Sequence, residues 1–150
     1  MRDIRVSRDG VRVPLALARV EAVAAHVLGW ERCTRPVAIG ITFVSDRAIA
    51  RLNRTHLGHD GATDIVTFEH APSGEWAPIV GDIYIAPGVA RKNARRFGSP
   101  VREELARLAI HGVLHAIGWE HPTGEGREQS EMWRRQERWL RRARAAGLLP

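Results

Sequence analysis

Cysteine occurs once, at position 33, so the chain has no internal disulfide and no thiolate cluster for a metal. Any metal must be held by histidine and carboxylate. Lysine is just as scarce: Lys92 is the only one, and the remaining basic residues are arginine. No apolar run reaches the roughly 18 residues of a membrane span. Met1-Arg2-Asp3-Ile4 lacks the apolar core and small-residue cleavage site of a secretion signal, and the expectation is a cytoplasmic protein away from membranes. No internal repeat, low-complexity tract or long linker divides the 150 residues, so a single domain over 1–150 is expected.

With 44% hydrophobic and 27% charged residues, the chain has the balance of a globular protein with one core. Basic residues outnumber acidic ones by 23 to 17, a net charge of +6. The guanidinium fork suits phosphate. Charge alone fits a nucleic-acid partner and an arginine-favouring coding background equally well.

Periodicity places a strand at Asp3 to Arg8, extended to Val11 and Val13 across a turn at Asp9-Gly10. Pro14 suits a first helical turn, and Leu15 to Leu28 follows at helical spacing. Val37 to Val44 alternates as a second strand. Ser45 caps a helix over Asp46 to Arg54, and a loop runs from His56 to Thr63. Asp64 to Glu69 is a third strand, His70 to Pro78 a loop, and Val80 to Ala86 a fourth strand interrupted by Gly81-Asp82. Helices are expected from Pro87 to Phe97, from Val101 to about Ile117 and from about Glu125 to Ala146. The sum is an α+β or α/β-like layer structure with about four strands in a mixed sheet covered by helices.

The chemistry concentrates in His111-Gly112-Val113-Leu114-His115-Ala116-Ile117-Gly118-Trp119-Glu120-His121. From Leu105 to Ile117 the only polar residues are Arg107, His111 and His115, which marks a buried helix. A buried imidazole without a partner costs about 1–3 kcal/mol. His111 and His115 project from one helix face a turn apart, so both can reach one metal. A continuing helix would carry His121 roughly 9 Å further along the axis. Gly118 sits where a left-handed residue ends a helix, so the chain can turn at Trp119-Glu120 and bring His121 back. Three histidines on zinc leave the fourth position for water, whose pKa zinc lowers to about 7. Against this stand two blander readings: a buried helix with satisfied core histidines, and a purely structural metal.

The spacing H-x3-H-x5-H also occurs in metzincin proteases, which place a glutamate directly after the first histidine as general base. That position is Gly112 here, which disfavours peptide hydrolysis.

The same eleven residues resemble the signature of the YbeY family, bacterial endoribonucleases and rRNA maturation factors, written H-G-x-L-H-x-x-G-[YH]-D-H. Glu120 stands for the customary Asp and Trp119 for another aromatic. Upstream, Leu52-Asn53, Asp60, Thr63-Asp64-Ile65-Val66-Thr67-Phe68 and Gly81-Asp82-Ile83 are similar to the family's pattern in order and spacing, over residues 37 to 140. Two positions depart: Leu57 stands where the family commonly has an arginine, a phosphate contact for which His59 or nearby arginines can substitute, and Ala62 replaces a proline.

The resemblance implies a sheet covered by helices on one side, with the metal in a cleft. It implies one Zn2+ per chain on His111, His115 and His121, and metal-dependent cleavage of single-stranded RNA in rRNA 3′-end maturation and ribosome quality control. The partners would be rRNA and the small ribosomal subunit. His59, Asp60, Thr63 and Asp64 are candidates for holding substrate or supporting the ligands. His56, His59 and Asp60 could otherwise form a second metal site or a plain polar loop. No general base emerges, and attack by water or by a 2′-hydroxyl both remain open. The alternatives are a ribosome-assembly RNA-binding factor with a mainly structural metal and, behind it, a metalloprotease. The final helix carries Met132, Trp133, Gln136, Trp139, Leu140 and Ala143 along one expected core face. Its other face carries Arg134, Arg135, Arg138, Arg141, Arg142 and Arg144, which with Arg91 to Arg96 could track phosphates.

Overall fold

The computed structural model describes residues 1–70 and 73–150. Strands β1 (Arg2–Arg8), β2 (Val37–Phe43), β3 (Ile65–His70) and β4 (Ile79–Ile85) form one sheet in the order β1-β2-β4-β3. β1, β2 and β4 run parallel, and β3 is an antiparallel edge strand beside β4. The helices are α1 (Leu17–Trp30), α2 (Asp46–Leu57), α3 (Pro87–Phe97), α4 (Val101–Ala116) and α5 (Glu131–Ala145), with a short 3-10 turn at Arg127–Gln129. This is a single small α+β domain with a mixed four-stranded sheet.

Alternation in β2 decides which face is the core. Val37, Ile39, Ile41 and Phe43 are buried on one side, level with Ile83 and Ile85 of β4 and with Ile4 and Val6 of β1. α1 and α4 pack on this face, and α5 packs outside them, against α4. Among the described residues the opposite face is covered toward the β3 edge, where Ile49 of α2 packs with Val66, Phe68 and Tyr84, joined by Val89 of α3. The cover is therefore not confined to one side. α4 is the central helix, with Leu105, Ala106 and every residue from Leu108 to Leu114 buried.

Several expected boundaries move, each for a local reason. β1 stops at Arg8; Val11 and Val13 pack against the core as irregular chain. Pro14 lies in a bend before α1, which begins at Leu17 and ends at Trp30. α2 gains three residues over the expected end, so His56 and Leu57 belong to its last turn; Ser45 caps it by accepting from the Ala48 N–H. His70 joins β3, and of the loop expected over His70 to Pro78, residues 71 and 72 lie outside the described residues. The final helix begins at Glu131 under a Ser130 cap, after a turn that the charged run Glu125 to Gln129 disguised as helix.

β4 is not interrupted. Gly81 and Asp82 continue the ladder, opposite Ile39 and Gly40. The glycine has a tertiary reason: a Cβ at 81 would stand 3.0 Å from the Ala116 Cβ, so its absence lets the end of α4 approach the strand. Gly112 does the same one turn earlier. A Cβ there would fall 2.8 Å from both Cδ1 and Cγ2 of Ile83, which is fully buried. The variant Gly112→Ala is expected to be less stable by about 1–3 kcal/mol from overpacking, outweighing the ~1 kcal/mol it gains in helix propensity. Urea unfolding checks this; a midpoint equal to wild type would show that α4 and β4 do not touch there.

Candidate metal centre

His111 and His115 leave α4 on one face, and the helix stops just beyond them. Gly118 adopts φ +109°, a conformation that favours glycine, and the Trp119 N–H returns to the Leu114 carbonyl at 3.0 Å. The turn brings His121 back over the helix. The ligand-capable nitrogens of the three rings lie within 4.8 Å of one another, and the ring centroids are 4.6 to 5.0 Å apart.

Each ring is oriented through Nδ1. His111 Nδ1 is 2.6 Å from Gln136 Oε1. Gln136 donates its amide to Glu137 Oε2 at 3.0 Å, which points its oxygen at the histidine and requires His111 Nδ1 to carry the proton. Glu137 is held in turn by Arg107, through Nε at 2.9 Å and a second guanidinium nitrogen at 3.1 Å. His115 Nδ1 donates to the Trp119 carbonyl at 3.0 Å, and His121 Nδ1 to the Pro122 carbonyl at 2.8 Å. All three Nε2 lone pairs are thus free.

His115 Nε2 and His121 Nε2 face each other at 3.1 Å. Both Nδ1 atoms donate to carbonyls, so the facing Nε2 atoms are left as acceptors, and a shared cation would satisfy the pair. Two nitrogens at about 2.05 Å from a tetrahedral zinc stand about 3.3 Å apart, so the donor set fits. Burial, opposed only in part by the Gln136 hydrogen bond, pushes His111 down to about 3. Burial and the neighbouring His121 also lower His115. Neutral imidazole is the form that binds metal.

The histidines open onto a cleft of about 450 Å³. It is lined also by Asn53, Leu57, His59, Thr63, Asp64, Glu69 and Arg127. Of the loop residues singled out from the sequence, His59, Thr63 and Asp64 reach this cleft, while Asp60 is exposed outside its lining. His56 turns away, edge-on to Phe68 at 5.2 Å between ring centroids. Among the described residues no second group of three metal-ligating side chains forms, so His56, His59 and Asp60 do not make another site. Asp64 bonds to no histidine; it accepts from Asn93 Nδ2 at 3.3 Å and faces Thr63 Oγ1 at 3.5 Å. Burial raises its carboxyl, and the charge of Arg127 opposes the rise. Glu69 is raised by burial and by Glu120, with an oxygen 3.8 Å from His115 Nδ1. Depressions of about 520 and 570 Å³ elsewhere on the surface gather no such donor set.

By sequence Gln136 belongs only to the core face of α5, and Glu69, Arg127 and Glu31 carry no local mark of a site. The one available signal was a glutamine inside an otherwise apolar stripe. Glu31, at the end of α1, accepts from Trp119 Nε1 at 2.8 Å, Trp139 Nε1 at 2.6 Å and Arg135 at 2.8 Å. It pins the turn whose carbonyl orients His115. Arg135 therefore does not belong to the solvated face of α5. Position 112, where a metzincin base would stand, points into Ile83 and away from the cleft.

The arrangement is a helix-and-turn three-histidine centre beneath a mixed sheet. The sequence profile of the family described as Endoribonuclease YbeY matches residues 7–144. Endoribonuclease YbeY of Chlorobium phaeobacteroides (strain BS1) is 39% identical over 122 residues, covering 81% of this chain and 84% of that protein. The Bacillus licheniformis protein of the same name is 30% identical over 135 residues, 84% of each chain. The solution structure of a Thermotoga maritima protein superposes with a TM-score of 0.67 at 25% identity, covering 96% of this chain and 91% of that one. The chain belongs to the endoribonuclease YbeY family.

Two outcomes follow. His111 titrates at about 3 when folded and near 6.5 when unfolded, so between those values the unfolded chain binds more protons. In chelator-treated protein, stability should fall as pH drops below about 6.5, by roughly 2 kcal/mol at pH 5 from this group, measured by urea unfolding at pH 7 and pH 5. Stability that stays flat would show that His111 is not buried in its neutral form. Gln136→Leu, which removes the acceptor at His111 Nδ1, should weaken metal binding about 10- to 100-fold in a competition titration.

Proposed function

We propose that this chain is a zinc-dependent endoribonuclease that cuts single-stranded RNA during rRNA 3′-end maturation and ribosome quality control. Its partners on this reading are rRNA and the small ribosomal subunit, in the cytoplasm. The observation that carries it is the convergence of three Nε2 lone pairs, each ring fixed through Nδ1, at the floor of an open cleft. Family membership supports the RNA chemistry, since the relatives are named endoribonucleases.

No helix of the described residues is long and apolar enough to cross a membrane. Zinc on three histidines supplies Lewis-acid polarisation of a phosphoryl oxygen and acidifies water toward neutral pH. The chain's own part is to hold His111 and His115 neutral and to aim all three rings. Asn53 pins the loop wall of the cleft by donating to the Gly61 carbonyl at 3.1 Å. Arg95, Arg96, Arg134, Arg138 and Arg141 are exposed basic residues of α3 and α5 suited to phosphates along the strand. Arg142 and Arg144 have other work: Arg142 stacks on Trp30 and Arg144 pairs with Glu103 at 2.7 Å.

Elemental analysis of the purified protein tests the reading first. One zinc per chain is expected in wild type and none in His111→Ala, with cleavage of a single-stranded RNA lost in that variant. Wild type that carries no metal would remove the hydrolytic mechanism. Folded His115→Ala protein that still supports ribosome maturation would instead favour an assembly factor with a structural metal.

A further inference from the structure

Arg127 is the only cationic side chain of lysine or arginine lining the histidine cleft among the described residues. Among the described residues it forms no ion pair within 4.0 Å, although Asp64 feels its charge. Its Nε is buried and has no hydrogen-bond partner. The guanidinium carbon lies 5.7 Å from the centre of the Trp133 ring, and the residue follows Gly126 at the start of the 3-10 turn. A buried donor without an acceptor is costly unless something else supplies one. A carboxylate partner, the usual arrangement, would have cancelled the charge.

The same residue walls a second cavity of about 210 Å³. This cavity shares Asp64, His111 and Arg127 with the metal cleft and continues to Asn93, Phe97 and Trp133. Phe97 is 74% exposed, a large apolar side chain left in solvent at the end of α3. An exposed aromatic and an unpaired guanidinium on the walls of one cavity are what single-stranded nucleic acid uses: the base stacks, and the phosphate takes the fork.

The geometry points to a nucleotide subsite beside the metal centre, in which Arg127 binds the phosphodiester next to the three histidines and the cavity at Phe97 takes an adjacent unpaired base. This rests on the RNA reading above and fits single strands, whose unpaired bases are free to stack on an aromatic side chain. Arg127 here binds phosphate directly; of the exposed arginines of α3 and α5, Arg96 stands at the subsite, 5.8 Å from the Phe97 ring centre, and the others serve the strand at a distance.

The test uses the full chain and an eight-nucleotide 2′-O-methyl oligoribonucleotide, which binds without being cut through its 2′-hydroxyls, read by fluorescence anisotropy across salt concentrations. Cleavage of the unmodified oligoribonucleotide is measured alongside. Arg127→Ala should lower kcat/KM at least tenfold and flatten the logarithmic salt slope of binding by about 0.7. Arg127→Lys should restore the slope but only part of the rate, because the fork is lost. Phe97→Ala, at an exposed position, should weaken binding about tenfold with kcat little changed. If Arg127→Ala does not fold, Arg127→Lys carries the comparison. Either Arg127→Lys or Phe97→Ala matching wild type in both assays would overturn the subsite. Wild type that binds the modified strand through Arg127 and Phe97 but cuts nothing would sink the nuclease reading and leave the subsite standing.

Discussion

A neutral imidazole has one proton to give, and in this site each of three rings gives it to an oxygen on the side away from the cleft. Everything around the centre serves that requirement. His111 finds its acceptor only because α5 lies across α4 and presents Gln136 from inside its apolar face. Gln136 points the right way only because Glu137 accepts from its amide, and Glu137 is held by Arg107, one turn before His111 on α4. His115 finds its acceptor only because the helix ends and the Trp119 carbonyl folds back, a turn clamped by Glu31 from α1. A buried imidazole missing its acceptor costs about 1–3 kcal/mol. The packing of three helices and the aim of three nitrogens are therefore one problem with one solution.

The spacing of His111, His115 and Gly118 was legible because it obeys helical periodicity and a local stop, both of which live in adjacent residues. The buried character of α4 and the alternation of β2 were legible for the same reason. Where the reading slipped, the cause was not adjacent. Gly81 looks like a strand break until Ala116, 35 positions later, is seen against it. Glu125 to Gln129 looks helical by composition, and only the stronger cap at Ser130 shows where α5 starts. His56 read as loop because α2 ends in polar residues that carry no period. Gln136, Glu31 and Arg127 gain their meaning from partners 25 or more positions away or from a cavity wall, which no local window contains.

The arginine-rich composition turns out to have two uses. Some of the guanidinium groups form part of the fold. Arg135 lies over the Trp119 ring at 4.3 Å and donates to the nearly buried Glu31; Arg142 lies 4.8 Å from the Trp30 ring. Arg107 knits Glu103, Glu104 and Glu137 together where α4 crosses α5. Lysine, with a point charge and no flat face, could not replace these contacts. Net charge therefore overstates the surface available to a polyanion, and the exposed groups of α3 and α5 are the relevant fraction.

All three candidate ligands come from one short stretch of chain, positions 111 to 121. An ion bound there ties a helix to its own following turn and does not join β1 to β4 or α1 to α5. Because α4 already fixes the first two rings, the ion closes only the few residues from His115 to His121, and the entropy of closing so small a loop is a minor part of folding. An ion there would thus be a local tie, adding nothing to the links among the sheet, α1 and α5. Opening that turn is not free of the rest, because Trp119 within it donates to Glu31 of α1 and lies under Arg135 of α5. An ion entering or leaving by that turn would therefore have to loosen a clamp that belongs to the fold itself.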